Sequence, residues 1–248
     1  MQSGKSDILT LRSYLLRSGK LAVRKLEERY EYLTGEKCQE GNAEKILKNL
    51  FTMTDVRQFG FTFAVGKLSM NGTGAVSIGQ GLNCYQGTEV LSNDILSPYQ
   101  SDEKKSQASV GNQILTDEAH YVFPMSVNPM AYRNFEALGV TNGYTEEDLA
   151  RLKEACTQAV NCYHSCARSN CANEFFFVVE TDLSFNIPAI ETYVQFVNGE
   201  DGGLPTYVVD VDTLVAKYGS HIQNMECYYN PKLVQVEGLT PVVNVMML

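Results

Sequence analysis

The run Asp55-Val56-Arg57-Gln58-Phe59-Gly60-Phe61-Thr62-Phe63-Ala64, followed by Asn71-Gly72-Thr73-Gly74 and Ala75-Val76-Ser77-Ile78-Gly79-Gln80, decides how the chain folds. Phe59, Phe61 and Phe63 recur at every second position, the pattern of a strand with one buried face. Asn71-Gly72-Thr73-Gly74 carries turn chemistry, since Gly and Asn tolerate positive φ. The run after it is expected to pair back on the first, with Ser77, Gly79 and Gly81 leaving one side low enough for something to lie against it. A plain antiparallel hairpin with glycines for close packing explains the same residues. On this reading Arg57 and Val56 face opposite sides of the strand. The Arg57 guanidinium could fork onto two phosphate oxygens or pair with a carboxylate such as Asp55.

Working outward toward the C-terminus, Gly87 to Asp117 is polar, with Pro98 near its middle. So long a stretch without periodicity is a functional loop or a disordered segment. His120–Val127 returns to strand character, and Asn128-Pro129 is expected to open a helix through Leu138, with Pro tolerated in the first turn. Thr145-Glu146-Glu147-Asp148 signals a helix start, a hydroxyl cap with acids that complement the macrodipole. Leu149, Leu152, Cys156 and Ala159 are its expected buried stripe. Asn173–Thr181 reads as a buried strand, Asn198–Gly203 as a turn and Thr206–Val211 as a strand. Asp212 is expected to cap a helix from Thr213 to about Lys217. Leu233–Val236 and Val242–Met246 are expected terminal strands. Toward the N-terminus, Asn42–Leu50 is a short helix. Ser6-Asp7 caps another that runs to about Leu33, where Thr34-Gly35-Glu36 closes it. Ile8, Leu11 and Leu15 are its apolar stripe, and Gly19, which costs about 1 kcal/mol against Ala inside a helix, could break it in two.

The 248 residues, 44% hydrophobic and 20% charged, suit a globular protein with a substantial core. No window approaches the roughly 18–20 apolar residues of a membrane-spanning helix, and the first residues lack secretory-signal features, so a cytoplasmic protein is expected. Seven cysteines at uneven spacing imply free thiols in that setting. The formal charge of −9 argues against a nucleic-acid binder held by a wide basic field. Basic character is nevertheless local: Lys5, Arg12, Arg17, Lys20, Arg24 and Lys25 stand against Asp7 alone in the first 26 residues. Contact with an anionic polymer would therefore follow a narrow track.

Cys162, His164, Cys166 and Cys171 raise a zinc reading, but their spacing lacks the paired C-x2-C of common structural sites, so neither metal nor other cofactor is expected. Cys162 and His164, two apart on a helix, point about 200° apart and make no nucleophile pair. Walker, H-E-x-x-H and G-x-S-x-G patterns are missing, and none of His120, His164 and His221 sits in an acid/base pair readable from the sequence.

The ordered set of Asp-Val-Arg-x-Phe-Gly, the Gly-x-Val-Ser-Ile run, His120-Tyr121-Val122-Phe123, Asn128-Pro129, the acidic helix start at Thr145, Ala167-Arg168-Ser169 and the strand at Phe175–Val179 resembles the repeating backbone subunit of type I CRISPR surveillance complexes (Cascade). That subunit belongs to the repeat-associated RNA-binding superfamily, and the likeness covers about residues 50–180, nearest the I-B and I-C branches. It implies an α+β fold: one domain over 1–248 with a modified RRM-like, ferredoxin-like antiparallel sheet, helical insertions, and residues 86–117 forming an extended thumb hairpin over the guide. The family's opening strand, with its Asn-Pro-Asn-Gly-Asp segment, has no counterpart here.

The function so implied is non-catalytic: several copies polymerise along one CRISPR guide RNA and present it to target DNA in antiviral defence. Partners would be the guide, target DNA through it, copies of the same chain and other surveillance-complex subunits, and no membrane. Candidate RNA-binding residues are Arg12, Arg17, Lys20, Arg57, Gln80, Asn83, Lys104, Lys105 and Arg168, along one slim positive channel. The alternative is an RNA endonuclease of the same superfamily, using Asp94, Asp102 or Asp117 and a divalent metal. A third reading is an RRM-like module for protein partners.

Overall fold

The computed structural model describes residues 25–38, 41–96, 110–162, 171–200 and 202–248. The fold is α+β, with six helices and several small, mostly antiparallel sheets among these residues. The part of the expected first helix before Lys25 lies outside them.

Helix α1 (Leu26–Thr34) ends where the sequence places its end: Gly35 takes the left-handed conformation and its N–H returns to Glu31 O. Helix α2 (Ala43–Leu50) starts on Asn42, whose side chain accepts from Lys45 N. Helix α3 (Thr54–Phe59) is a correction, since the first half of the expected strand is a helical turn and a half, with Thr54, Asp55, Val56 and Gln58 buried. Period-2 spacing misleads here because every side of so short a helix is enclosed by neighbours. Gly60 then turns the chain at φ 74°, where a Cβ would lie 2.1 Å from Gly72 O. Strand β1 (Gly60–Val65) buries Phe61 and Phe63 as predicted.

Strand β2 (Leu68–Thr73) pairs antiparallel with β1 from Val65↔Leu68 to Gly60↔Thr73. The turn is therefore at Gly66-Lys67, with Gly66 at φ 58°. Asn71 and Gly72 lie inside the strand. Gly72 is small for packing: a Cβ there would meet the Phe61 ring at 2.7 Å. Strand β3 (Val76–Ile78) does not pair back on β1 but on β8 (Met125–Val127), Val76↔Val127 to Ile78↔Met125. The low side of this segment is occupied by the chain itself, because Cβ atoms at Gly79 and Gly81 would strike Pro124 and the Phe123 ring at 2.7 and 2.2 Å.

Strand β4 (Leu82–Asn83) pairs with β7 (Tyr121–Val122), and between them a ribbon of β5 (Val90–Leu96) and β6 (Val110–Thr116) leaves the body. Helix α4 (Arg133–Ala137) begins four residues later than Pro129 suggests. Asn128 caps a tight turn instead, its side chain accepting from Met130 N. Helix α5 (Glu146–Gln158) opens on the predicted Thr145, with a full capping box to Asp148. Asp148, Leu152 and Ala155 are buried within it and Ala159 just past its end, while Leu149 and Cys156 are half-buried.

The C-terminal part holds two three-stranded sheets. In one, β12 (Ile222–Tyr229) lies between β9 (Phe175–Thr181), antiparallel, and β14 (Asn244–Met247), parallel. In the other, β11 (Thr206–Val209) lies between β10 (Val194–Val197), antiparallel, and β13 (Gln235–Glu237), parallel. Helix α6 (Val211–Tyr218) is capped by Asp210, which accepts from Thr213 N at 3.1 Å, and not by Asp212. Val211 and Leu214 are buried at i and i+3, so the helix must begin two residues earlier to present them. Two apolar clusters result. One is built from α1, α2, β1 and α4 around Leu50, Phe51, Phe61, Phe63 and Tyr132; the other joins the C-terminal sheets around Val209, Val211, Met225, Cys227 and Val243.

Candidate functional site

The ribbon is the feature on which the sequence expectations converge, and its root carries a well-connected polar cluster. The Asn83 side chain accepts from His120 N (3.0 Å) and Tyr85 N (3.2 Å) and donates to Thr88 Oγ1 (2.6 Å). Thr88 Oγ1 in turn donates to Glu118 O at 2.8 Å, and Asp117 Oδ1 accepts from Glu89 N at 2.8 Å. The backbone N–H groups of Glu118 and Glu89 hold the Asp117 carboxyl below its usual range. The ribbon then runs in unbroken register from Val90↔Thr116 to Leu96↔Val110. Val90, Leu91 and Ile114 are each at least 60% exposed, so part of it presents aliphatic surface.

Two contacts fasten this root to strands more than fifty residues away. The Asn198 amide, just beyond β10, accepts from Gln86 N (3.2 Å) and donates to Gln86 O (2.7 Å). His120 Nδ1 lies 2.8 and 2.9 Å from the two oxygens of Glu174, the residue before β9, and its Nε2 lies 3.4 Å from Glu118. The Tyr207 hydroxyl on β11 donates to the same Glu174 at 2.6 Å. The imidazole is flanked by Tyr85 and Phe196, with ring centroids 5.7 and 4.8 Å away. Glu174, and to a lesser degree Glu118, push the His120 pKa above its usual value against the opposing effect of burial. Burial and Glu174 raise the Tyr207 pKa so far that its hydroxyl keeps its proton.

Of the sequence-derived RNA-binding candidates, Arg12, Arg17, Lys20, Lys104, Lys105 and Arg168 lie outside the described residues, as do His164 and Cys166 of the zinc reading. Gln80 and Asn83 lie on the exposed segment leading into the ribbon, three residues apart. Arg57 is elsewhere. Its Nε donates to Asp148 at 2.7 Å and its Nη1 to Phe51 O at 2.7 Å. Beside it, Gln58 donates to Asp148 O and accepts from the Tyr144 hydroxyl, and Asp55 holds the fully buried Arg29 through two guanidinium contacts of 2.8 and 2.6 Å. Asp-Val-Arg-x-Phe-Gly is thus an architectural knot that ties α3 to α1 and α5.

His120 and Glu174 are the pair sequence reasoning missed. The only signal was a polar pair, Asn173-Glu174, set against an otherwise apolar strand. Of the endonuclease candidates, Asp117 serves as the ribbon clasp just described, Asp102 lies outside the described residues, and nothing is described of the Asp94 side chain. No group of three or more His, Cys, Asp and Glu side chains is arranged to hold a metal among the described residues. The six described cysteines are free thiols. A cavity of about 1870 Å³ opens between α5, β8 and β9. Its described lining carries Asp117, Glu118, Glu146, Glu174, Glu180, Asp182 and Glu191 against Lys232 and Lys153, the latter already bound by Glu180 and Glu226. That sign of charge does not suit a phosphate chain. No helix among the described residues is long and apolar enough to cross a membrane.

A family model described as CRISPR-associated protein Cas7 matches residues 9–200 of the chain. No curated protein matches it.

Proposed function

The chain belongs to the Cas7 family of CRISPR-associated proteins, which gives it a role in a CRISPR interference complex, and from that premise we propose that it is a non-catalytic backbone subunit. Several copies line up on one guide RNA, of the I-B or I-C kind, and hold it open for pairing with target DNA in the cytoplasm. The observation that supports this most directly is the β5–β6 ribbon, which stands out from the body with a doubly clasped root. A rigid projection of that kind can lie across a polynucleotide and fix it in short segments, while base pairing supplies sequence specificity. Gln80 and Asn83 line its approach, and Lys104 and Lys105 fall by sequence between its two strands. A filament grows from a head-to-tail contact that does not close into a ring. The net charge of −9 is compatible with one basic seam and an otherwise acidic exterior.

Co-expression with guide RNA tests the reading. The purified assembly should carry a nucleic-acid absorbance ratio at 260 and 280 nm, and guide RNA should shift in a gel at low salt and be released as salt rises. A protein-like ratio together with no shift at low salt would overturn it. Incubation with target RNA and divalent metal should leave that RNA intact. Cleavage that disappears in D94N or D102N would move the protein to the endonuclease reading.

A further inference from the structure

The two clasps at the ribbon root differ in one chemical respect: the Asn198 amide does not titrate, and His120 does. On one side of the histidine, Glu174 is anchored to the body, since Tyr207 donates to it and its backbone O accepts from Asn230 N at 3.0 Å. On the other side, His120 and Glu118 move with the ribbon, where the Asn83 side chain holds the His120 backbone N–H. At this clasp the contact between ribbon root and body is therefore the imidazole and its acids. A neutral imidazole has a single N–H and cannot donate to Glu174 and Glu118 together; an imidazolium can donate to both and offsets their charge.

We propose that His120 is a positioning residue for the RNA grip, latching the β5–β6 ribbon to Glu174 when protonated and loosening its root when neutral. The proposal rests on the reading of the ribbon as an RNA-gripping element. The groups facing the ring are Glu174 from the start of β9, Glu118 from the end of the ribbon, Tyr207 from β11 through Glu174, and Tyr85 and Cys84 from the segment after β4. Asp117 acts on Tyr85 from the same turn. Among the described residues, the charged groups acting on His120 are carboxylates. Tyr207 and Tyr85 are both pushed upward, so they keep their protons while His120 titrates. The folded state favours the imidazolium. The latch is therefore fully present below the ordinary histidine value of about 6.5 and is lost as pH rises through the higher folded value. Loss of a charge-assisted bond at the root should let the ribbon lift and release RNA sooner.

Two measurements test this on the full chain. The first is dissociation of bound guide RNA from about pH 6 to about pH 9. Wild type should lose RNA roughly tenfold faster at the alkaline end, with a midpoint above about 6.5. H120Q should dissociate at the fast rate throughout and show no such midpoint. N198A should dissociate faster at every pH while keeping the wild-type midpoint, because it removes the other clasp. The second measurement needs no RNA. The chain contains no tryptophan, so Y85W places a single indole against His120, and its quenching by the imidazolium reports the titration directly. The fluorescence midpoint should lie above about 6.5 and fall when E174Q is added. A midpoint at or below that value, or one indifferent to E174Q, would overturn the latch whatever RNA does. A normal fluorescence titration with RNA dissociation that ignores pH would overturn its part in the grip. A normal titration with no RNA bound at any pH would overturn the RNA-binding reading itself, and the grip with it.

Discussion

Two of the polar networks that hold distant parts of this chain together among the described residues differ in burial. Around α3, Arg29–Asp55 is about 1% exposed on both sides, and Asp148 receives Arg57 and Gln58 while also closing the α5 capping box. At the ribbon root, His120, Glu174, Asn83 and Asn198 make a comparable number of bonds but remain within reach of water. The Arg29–Asp55 pair has no alternative partner if it opens, whereas the ribbon-root bonds can be exchanged for water. One is a permanent fastener and the other an adjustable one.

The largest effect should come from D55A, which leaves the buried Arg29 charge alone: a loss on the order of 3–5 kcal/mol in urea unfolding. The double variant D55A/R29M should recover much of that loss, because it also removes the guanidinium, whose buried Nε has no hydrogen-bond partner among the described residues. A double variant as unstable as the single one would show that the pair does more than neutralise its own burial. Next, G60A forces a side chain onto Gly72 O in a left-handed conformation and should cost at least about 1–3 kcal/mol, read as a lower thermal midpoint. N83A should cost about 1 kcal/mol, and locally: amide exchange at Tyr85 and His120 should speed up while the exchange of β1 amides stays at the wild-type rate. Acceleration spread equally over β1 and the ribbon root would erase the distinction between the two regions. The smallest effect belongs to the exposed pair Glu44–Lys48. The lysine lowers the Glu44 pKa, so at most a slight gain in stability appears as pH rises past the carboxylate range, and E44Q should leave the thermal midpoint at neutral pH unmoved.

The elements legible in the sequence were those whose signal is local. Thr145 to Asp148 announced α5 because a hydroxyl and a carboxylate three residues apart satisfy each other's backbone N–H groups without help from elsewhere. Asn42 and Gly35 marked helix ends for similar reasons, and the alternation of Phe61 and Phe63 gave β1 its inward face. Strand β12 went unread, although Met225 and Cys227 alternate with Asn224 and Glu226, because the polar members obscured a period-2 pattern that the sheet uses fully. The glycines carried two readings. Gly72 was read as part of a turn and Gly79 and Gly81 as lowering a strand face, with close packing as the alternative; the structure has close packing, each glycine making way for a ring of this same chain.

By itself the sequence determined the α+β class and the family, through an ordered set of motifs, and the caps that start and stop several helices, since each cap depends on residues near one another along the chain. The tertiary structure alone decided which residues meet: Arg57 with Asp148 across 91 positions, β3 with β8 in place of β1, and His120 with Glu174 across 54. Hydrogen bonds and ion pairs act over about 3 Å of space, and between residues this far apart in sequence they leave no trace in the spacing of their partners along the chain.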